Sequence, residues 1–470
     1  MGNPAPAYDR LVAASTAAAP PTRPGLPPGP PLPKLAQTLA FLLVPDRFIG
    51  FCQRRYGGMV TLRTAFDPGF VMLFDPGLAK EVFRAPPDRL RAGEANALLG
   101  AVLGERSVLL LDGAEHLRHR RLLLPPFHGE RMRAYEAAMV RATDRAIDAW
   151  PAGEEIRLLP ATQALTLEVI MRAVFGVEEG PREAELRARI RATIEPVGRR
   201  LGILVLALSG GRWGDRGEMA RFQQRRTAMD ELIYAEIDRR RAAPDLAARP
   251  DVLSLLLSAR DEDGNGLTEP ELRDELVTLL VAGHETTATG AAWMFDLVLR
   301  SDRVLAACRR AVAEGDDRYL DAVVKEALRI RPVIPGVGRV VRGGPFELGG
   351  YEIPEGVEIN PSIARLHRRA AEYPSPAEFR PERFLADDPP DTYEWIPFGG
   401  GTRRCLGASF AMFEMRVVLK RVLSRCELEP VGPRADTVER RGITLVPKNG
   451  VRVVQTRPPV PAEASAGTAA

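Results

Sequence analysis

The residues best suited to chemistry lie in a glycine-rich stretch near the carboxyl end of the chain. Phe398, Gly401, Arg403, Cys405 and Gly407 follow the spacing Phe-x-x-Gly-x-Arg-x-Cys-x-Gly, and an apolar run follows the last glycine. This run predicts a helix that begins just after the cysteine, where the helix dipole and free N–H groups stabilise a thiolate. The glycines let backbone amides approach the sulfur. The pattern therefore predicts a thiolate with a special role; the alternative is a glycine-rich loop around a buried cysteine.

A second candidate group lies inside a predicted long helix. Gly283, His284, Glu285 and Thr286 are consecutive there, and a glycine inside a helix costs about 1 kcal/mol relative to alanine. A locally unfavourable sequence within a strong helix indicates function. The alternative is an exposed acid beside a threonine that bonds its own i−4 carbonyl. For His284 we favour a structural role over a ligand role.

Four ordered segments, between about residues 30 and 456, resemble the cytochrome P450 family. They are 282–287, 326–329, 379–384 and the cysteine loop at 398–407. The resemblance implies the fold of that family, mainly α-helical with a smaller β-rich lobe. It also implies haem b (iron protoporphyrin IX) as the cofactor and O2 as a co-substrate.

The resemblance assigns Cys405 as the metal ligand, because a thiolate pushes electron density onto iron and so favours O–O cleavage. It assigns Glu285 and Thr286 as catalytic residues that deliver protons beneath a widened helical turn. His116 and Arg120 lie four residues apart, so both reach one haem propionate. The remaining implied cofactor-binding residues are Arg339 and Arg403 at the propionates, Phe398 beside the sulfur, and Gly407.

Glu326, Arg329 and Arg383 resemble the three-residue ion network of the family, which holds the cysteine loop in place. The i,i+3 spacing puts the first two on one helix face. On the surface such a pair contributes only a few tenths of a kcal/mol, so this interpretation rests on the position of the motif.

The segments that line the substrate pocket in the family are aliphatic here. They include 98–110, 201–208 and 443–445, and the predicted pocket residues are Val281, Ala282, Val333, Ile334, Val337 and Leu445. Few aromatic and no fixed charged groups accompany them apart from the catalytic acid. This composition favours a lipophilic substrate held by shape, and we expect a fatty acid or a terpenoid that is hydroxylated or epoxidised.

The chain has no flavin or iron–sulfur motif of its own, so the resemblance implies a separate redox partner. We expect a ferredoxin or flavodoxin with its reductase, supplied by NAD(P)H. A basic proximal face would steer such an acidic partner; its predicted members are Arg118, Arg121, Arg404, Arg416 and Lys420.

Composition limits the other possibilities. The 470 residues are 45% apolar and 27% charged with a net charge of +3, which gives no argument for nucleic acid. The four cysteines lie far apart without metal-ligand spacing, as in a reducing compartment. No apolar run approaches the roughly 20 residues of a membrane span, and no signal sequence is recognisable. We therefore expect no transmembrane anchor and place the protein in the bacterial cytoplasm.

The chain is predicted to hold one domain. We expect residues 1–33 to be a disordered Pro/Ala-rich segment, 34–456 a single cytochrome P450 domain, and 457–470 a disordered tail. Thr268 and Glu271 form a capping-box pattern that starts a helix running to about residue 300. Strand-like segments lie at 59–63, 70–74, 339–341, 351–353, 357–360 and 450–455.

Two other functions remain open for such a chain. One is a peroxide-using or isomerising haem enzyme of the same fold, whose members commonly lack the acid–threonine pair. The other is a non-catalytic haem-binding sensor, which has no need of Thr286. We interpret the sequence as a haem-thiolate monooxygenase.

Overall fold

The computed structural model describes residues 25–65, 69–127, 131–176, 180–194 and 216–461. The helices of these ranges are α1 (Lys34–Leu43), α2 (Pro45–Tyr56), α3 (Pro76–Arg84), α4 (Ala92–Ala95), α5 (Gly100–Leu103), α6 (Gly113–Leu123), α7 (Arg131–Asp148), α8 (Leu158–Phe175), α9 (Pro181–Ile194), α10 (Arg216–Arg241), α11 (Val252–Ser258), α12 (Glu269–Leu299), α13 (Asp302–Glu314), α14 (Asp317–Ile330), α15 (Ile363–Leu366) and α16 (Ala408–Arg425). The strands are β1 (Met59–Leu62), β2 (Phe70–Leu73), β3 (Leu90–Arg91), β4 (Glu155–Arg157), β5 (Arg339–Val341), β6 (Phe346–Leu348), β7 (Tyr351–Ile353), β8 (Glu358–Pro361), β9 (Leu428–Pro430), β10 (Val438–Arg441), β11 (Thr444–Pro447) and β12 (Arg452–Gln455).

Helix α12 runs through the middle of the helical body. Its capping box forms as predicted, with the Thr268 N–H donating to Glu271 Oε2 at 2.6 Å. At 31 residues it is about 46 Å long. It packs against α8, α14 and α16, and most of its buried apolar residues belong to the largest hydrophobic cluster of the described chain. The predicted bounds of this helix are correct to within a residue.

The principal sheet has the strand order β1-β2-β8-β5-β3. Strands β2 and β8 pair in parallel, and the other neighbours are antiparallel. Smaller units are β4-β12-β9 and the hairpins β6-β7 and β10-β11. Each of the six predicted strand segments coincides with an observed strand to within two residues. The predicted fold class, mainly α with a smaller β-rich lobe, is confirmed.

The prediction of disorder is wrong for residues 26–33. Leu26 is buried, the carbonyl of Pro27 accepts a hydrogen bond from Thr61 Oγ1 at 2.6 Å, and that of Pro28 accepts one from the Thr61 N–H at 3.1 Å. Proline lacks an N–H but keeps its carbonyl, so this segment serves as an acceptor for strand β1. Residues 1–24 lie outside the described residues.

The far end of the chain shows a similar contact. The Val460 N–H donates to the Arg425 carbonyl at 2.9 Å, and Arg425 Nε donates back to the Val460 carbonyl at 2.7 Å. Part of the predicted tail is therefore paired with helix α16, whereas residues 462–470 lie outside the described ranges. The single-domain assignment of 34–456 stays a prediction.

By length and apolarity alone, one helix of the described ranges could cross a membrane. This helix, α8, is 67% buried inside the fold over its apolar window. Helices α1 and α2 reach the same threshold only when taken together, and they meet at 119°.

Candidate active site

The cysteine loop depends on glycine because it packs directly on helix α3. Gly401 has a φ of +64°, and a Cβ at this position would lie 1.9 Å from the carbonyl oxygen of Phe83. A Cβ at Gly400 would lie 2.7 Å from the ring of the same phenylalanine. The Cys405 N–H closes the loop by donating to the Phe398 carbonyl at 3.0 Å. Larger residues at either glycine would push the loop, and with it the sulfur, away from its position.

Cys405 differs from the three other cysteines. Cys52, Cys308 and Cys426 are buried, and burial raises the pKa of each thiol to about 12. Cys405 is accessible to solvent. The surrounding protein raises the pKa of this thiol, but the Gly407 backbone and two guanidinium groups act in the opposite direction. Helix α16 begins three residues later, so the sulfur lies near a helix N-terminus as predicted.

The guanidinium groups near the sulfur belong to Arg120 and Arg404. Beside the loop, a Cβ built on Gly407 meets no atom of the described chain within 4 Å. An exposed cysteine next to open space, with cationic groups around it, fits a large planar ligand with acidic substituents.

The four predicted propionate-binding residues converge on one another. Burial and the nearby Arg403 lower the pKa of Arg339 to about 10. Burial also lowers the pKa of Arg403 to about 10, with Arg120 acting in the same direction against Asp112. Burial, followed by Arg403, Arg120 and Arg339, lowers the pKa of His116 to about 3. Like charges held this close repel, so the cluster is suited to a bound anion.

The cluster also contains hydrogen-bonding groups that the described residues do not engage. The Nδ1 atom of His116 is buried without a hydrogen-bond partner among the described residues, which is costly unless a ligand completes it. Within the described residues, the only ion pair made by any of the four is that between Arg403 and Asp112. These residues therefore fit the two carboxylates of a haem.

Arg403 has a second set of contacts that the sequence did not predict. Besides Asp112, its guanidinium donates to the carbonyls of Val108, at 3.1 Å, and Leu111. Asp112 in turn accepts the N–H groups of Gly93 and Glu94. Arg403 thus ties the cysteine loop to the start of helix α6, which carries His116 and Arg120.

Glu285 and Thr286 lie side by side on α12 with different partners. Burial raises the pKa of Glu285, and the Arg441 guanidinium opposes this shift. Thr286 Oγ1 donates to the Ala282 carbonyl at 2.5 Å, the i−4 bond that the structural alternative expects. The widened turn expected here is not found, because α12 is an uninterrupted α-helix from Glu269 to Leu299.

Two threonines on α8 were missed by the sequence analysis. Thr162 Oγ1 donates to the Ala288 carbonyl at 3.0 Å, and Thr166 Oγ1 donates to the His284 carbonyl at 3.0 Å. Thr166 Oγ1 also lies 3.2 Å from Nδ1 of the buried His284. They bracket the Glu285–Thr286 pair and fix helix α12 against α8. Their i,i+4 spacing inside a largely apolar helix was the available signal.

The structure brings Glu326, Arg329 and Arg383 together in the core. Arg329 Nε and Nη2 donate to the two oxygens of Glu326 at 2.7 and 2.8 Å, and Arg383 Nε donates to Glu326 Oε1 at 3.1 Å. All three side chains are buried. The remaining donors find backbone carbonyls, including His367 at 2.8 Å and Ser375 at 2.9 Å.

A second contact connects this network to the cysteine loop. The imidazole Nε2 of His367 accepts the Ile396 N–H at 2.9 Å, two residues before Phe398. The indole of Trp395 donates to the Lys325 carbonyl at 3.0 Å and packs edge-on against Phe398. The loop therefore starts from a segment held by the same helix, α14, that carries Glu326.

The six predicted pocket residues are spread over three elements. Val281 and Ala282 are on α12, and Val333 is bonded through its carbonyl to the Leu445 N–H at 2.7 Å. Ile334 and Val337 lie in the connection before β5. The predicted lining segment at 201–208 lies outside the described residues.

The predicted basic proximal face is largely neutralised. Arg118 bonds Asp261 and Glu271, and Arg121 bonds Glu262. The other paired members are Arg416, with Asp317 and Asp321, and Lys420, with Asp317. Surface charges that are already paired steer a partner less strongly, so this face is a weaker argument for an acidic partner than the sequence indicated.

Comparison with known proteins identifies the family. Residues 27–453 match the Cytochrome P450 family profile. Cytochrome P450 135B1 of Mycobacterium tuberculosis is 43% identical over 436 residues, 91% of each chain. Cytochrome P450 135A1 of the same species is 40% identical over 435 residues, 91% of this chain and 95% of the relative.

Solved structures agree on the fold. A retinoic acid-bound cyanobacterial CYP120A1 gives a TM-score of 0.77 at 23% identity, over 92% of this chain and 99% of that one. A cytochrome P450DA haem domain gives a TM-score of 0.77 at 24% identity, over 93% and 99%. The chain belongs to the cytochrome P450 family, whose members are generally haem monooxygenases, and it is an oxidoreductase of that class.

Proposed function

We propose that the protein is a haem-thiolate monooxygenase that hydroxylates or epoxidises a lipophilic substrate with electrons from a separate redox partner. The observation that carries this proposal is the cluster of His116, Arg120, Arg339 and Arg403 beside the exposed residue Cys405. It combines three cations with a buried imidazole nitrogen that has no partner among the described residues. That set of residues would hold the carboxylates and the iron of one haem b.

The roles of these residues follow from their surroundings. Cys405 would hold the iron, and the four donors would hold the propionates. When bound, the haem supplies the iron that activates O2. Arg403, bonded to Asp112 and two carbonyls, would also keep the loop and helix α6 at a fixed separation.

Glu285 and Thr286 would manage protons. A carboxyl whose pKa is raised by burial takes up and releases a proton more readily near neutral pH. Arg441 offers a counter-charge when this carboxyl ionises. Thr286 donates its proton to the Ala282 carbonyl, which leaves its oxygen lone pairs free to accept a hydrogen bond.

The substrate, partner and location complete the proposal. The aliphatic character of Val281, Ala282, Val333, Ile334 and Val337 supports a fatty acid or a terpenoid. Electrons would pass from NAD(P)H through a ferredoxin or flavodoxin. Relatives in Mycobacterium support a bacterial protein, and we place it in the cytoplasm.

A spin-state titration of the ferric holoenzyme tests the substrate class. Long-chain fatty acids are compared with sesquiterpenes, diterpenes and macrolides while the Soret band is followed. A saturable low- to high-spin shift with fatty acids supports a fatty-acid hydroxylase, whereas a shift with rigid terpenoids alone excludes it. The Cys405→Ser variant should bind haem without the thiolate spectrum of the carbon monoxide complex, and Cys308→Ser should keep it.

The choice of oxidant distinguishes the remaining enzyme class. Turnover that requires a ferredoxin system and O2 supports the monooxygenase. Turnover with added peroxide but not with the electron-transfer system would instead identify a peroxide-using enzyme.

A further inference from the structure

A cavity of about 410 Å³ lies between the N-terminal helices, the principal sheet and the β10–β11 hairpin. This volume is within the range of roughly 300–1,000 Å³ typical of ligand pockets. Leu445 is the one predicted pocket residue among those that line it. Its apolar walls are Phe41, Ile49, Phe70, Met72, Trp293 and Leu445.

Arg331 lines this cavity with donors that the protein does not use. Its guanidinium stacks on the indole of Trp293, with the carbon 4.9 Å from the ring centroid. Its Nε is buried without a partner, and its side chain makes no hydrogen bond or ion pair within the described part of the chain. Burial and the nearby Arg368 lower its pKa. Asp296, Asp46 and Asp436 act in the opposite direction, but none of them forms an ion pair with Arg331 within the described residues.

Three more arginines line the same cavity. Arg440 stacks on Phe41 at 5.4 Å, and its Nε donates to the Gly442 carbonyl. Arg365 and Arg368 share one carboxylate, that of the exposed Asp46.

The acidic groups of the cavity do not balance these charges. Glu358 also lines it, but it is engaged by the side-chain amide of Asn360 at 2.9 Å. Among the residues that line the cavity, four guanidinium groups therefore outnumber two carboxylates, and the lining carries a net positive charge between apolar walls.

We propose that this cavity binds a lipophilic carboxylic acid, with the carboxylate at Arg331 and Arg440 and the apolar body against Phe41, Phe70 and Trp293. Guanidinium groups are the preferred partners of carboxylates because their paired N–H groups match the two oxygens. Stacking on aromatic rings holds both guanidinium groups in place before the ligand arrives.

The cavity adjoins the proposed reaction site without containing it. Successive residues of a strand point to opposite faces: on β10, Arg440 lines the cavity whereas Arg441 is close enough to Glu285 to lower its pKa. Trp293 lies seven residues after Thr286 on helix α12. The same binding site would therefore accept a carboxylic acid that is the substrate itself and one that is a second molecule.

Isothermal titration calorimetry of the haem-loaded protein tests the proposal. Decanoate and the neutral decan-1-ol are compared at low ionic strength on the wild type, Arg331→Gln, Arg440→Gln and Arg331→Lys. We expect the Kd of decanoate to rise about tenfold or more in each glutamine variant, and less in Arg331→Lys, which keeps the charge. The Kd of decan-1-ol should change by less than about twofold.

The control is Arg457→Gln, at an exposed arginine paired with Glu427, which should leave both ligands unaffected. Equal decanoate affinity in the wild type and both glutamine variants would overturn the proposal. If Arg331→Gln does not fold, the decanoate affinity of Arg440→Gln, on the exposed hairpin, tests the proposal instead.

The Soret band, followed during the same titration, separates the two sources of the ligand. If the Soret band shows a spin-state shift that saturates with the Kd measured by calorimetry, the bound acid reaches the iron. If calorimetry detects binding without a spin-state shift, the acid is a separate ligand. Both outcomes support the site, provided that the glutamine variants weaken it. A protein that binds decanoate in this way but turns over no substrate would refute the proposed function and leave the site intact.

Discussion

The backbone carbonyl of His367 accepts a hydrogen bond from Arg329 Nη1 at 2.8 Å, while the imidazole of the same residue accepts the Ile396 N–H at 2.9 Å. One buried histidine therefore connects the ion network on helix α14 to the segment that leads into the cysteine loop. Its Nδ1 has no partner among the described residues. This arrangement makes His367 sensitive to protonation.

Burial and the Arg329 charge lower the pKa of His367 to about 3 from an ordinary 6.5. Below pH 6.5 the unfolded chain takes up a proton that the folded protein refuses, so the contribution of this residue to stability is lost as the pH falls. The cost is about 1.4 kcal/mol for each pH unit between these two values. Chemical unfolding at pH 6.0 and 4.5 should show a flatter pH dependence for His367→Gln than for the wild type. An identical pH dependence of stability in the variant and the wild type would contradict a lowered pKa of His367.

Glu326→Gln should destabilise the protein strongly. It leaves the buried guanidinium groups of Arg329 and Arg383 without a counter-charge, at a cost of roughly 3–5 kcal/mol. Thermal unfolding and the haem content of the purified protein provide the measurement.

The matched control for this change is Arg121→Ala. It breaks the exposed pair with Glu262, which contributes at most about 1 kcal/mol. Equal effects of the two changes would show that the buried network does not hold the loop.

Gly401→Ala should displace the cysteine loop. The new Cβ would meet the Phe83 carbonyl at 1.9 Å, and the residue would also keep a left-handed conformation. Gly432→Ala is the control, because Gly432 has a φ of +76° and no atom of the described residues lies within 4 Å of the added Cβ. In the control, the free energy of unfolding should fall only by the cost of the left-handed backbone conformation, about 1–2 kcal/mol. Gly401→Ala should lower the free energy of unfolding further and also alter the spectrum of the bound haem. A normal haem spectrum in Gly401→Ala would mean that the loop tolerates the clash.

Thr286→Ala should reduce the product formed per NAD(P)H consumed, by about tenfold or more, if this hydroxyl takes part in proton delivery. Thr289→Ala removes a buried hydroxyl that has no hydrogen-bond partner in the described ranges, one turn further along the same helix, and should leave this ratio unchanged. The measurement compares substrate turnover with NAD(P)H consumption under ferredoxin-supported conditions. Equal ratios in the two variants would favour the structural role of Thr286, in which it only bonds Ala282.

The elements that follow from periodicity and capping were predictable. Helix α12 starts at the capping box of Thr268 and Glu271, and the strands begin and end close to their predicted bounds. The residues around the cysteine were found because their spacing is distinctive. These signals are local, and each can be read from a few neighbouring residues.

Contacts between distant segments were not predictable in the same way. Arg403 bonds Asp112 from 291 positions away, and no local pattern announces such a pairing. The prediction of a basic proximal face was inaccurate for the same reason, because the acids that pair with Arg118 are more than 140 positions away along the chain. Charge counted along a sequence does not reveal which charges are neutralised in the fold.

Residues 26–33 have a composition typical of disorder, yet they make an ordered contact with strand β1. Strand β1 is at the edge of the principal sheet, and Thr61 on that strand bonds the carbonyls of Pro27 and Pro28. An exposed edge is a template on which a second chain can add a strand, and a run of prolines cannot itself propagate such pairing. The proline segment therefore covers part of this edge, and we expect a protein shortened to begin at Lys34 to expose it.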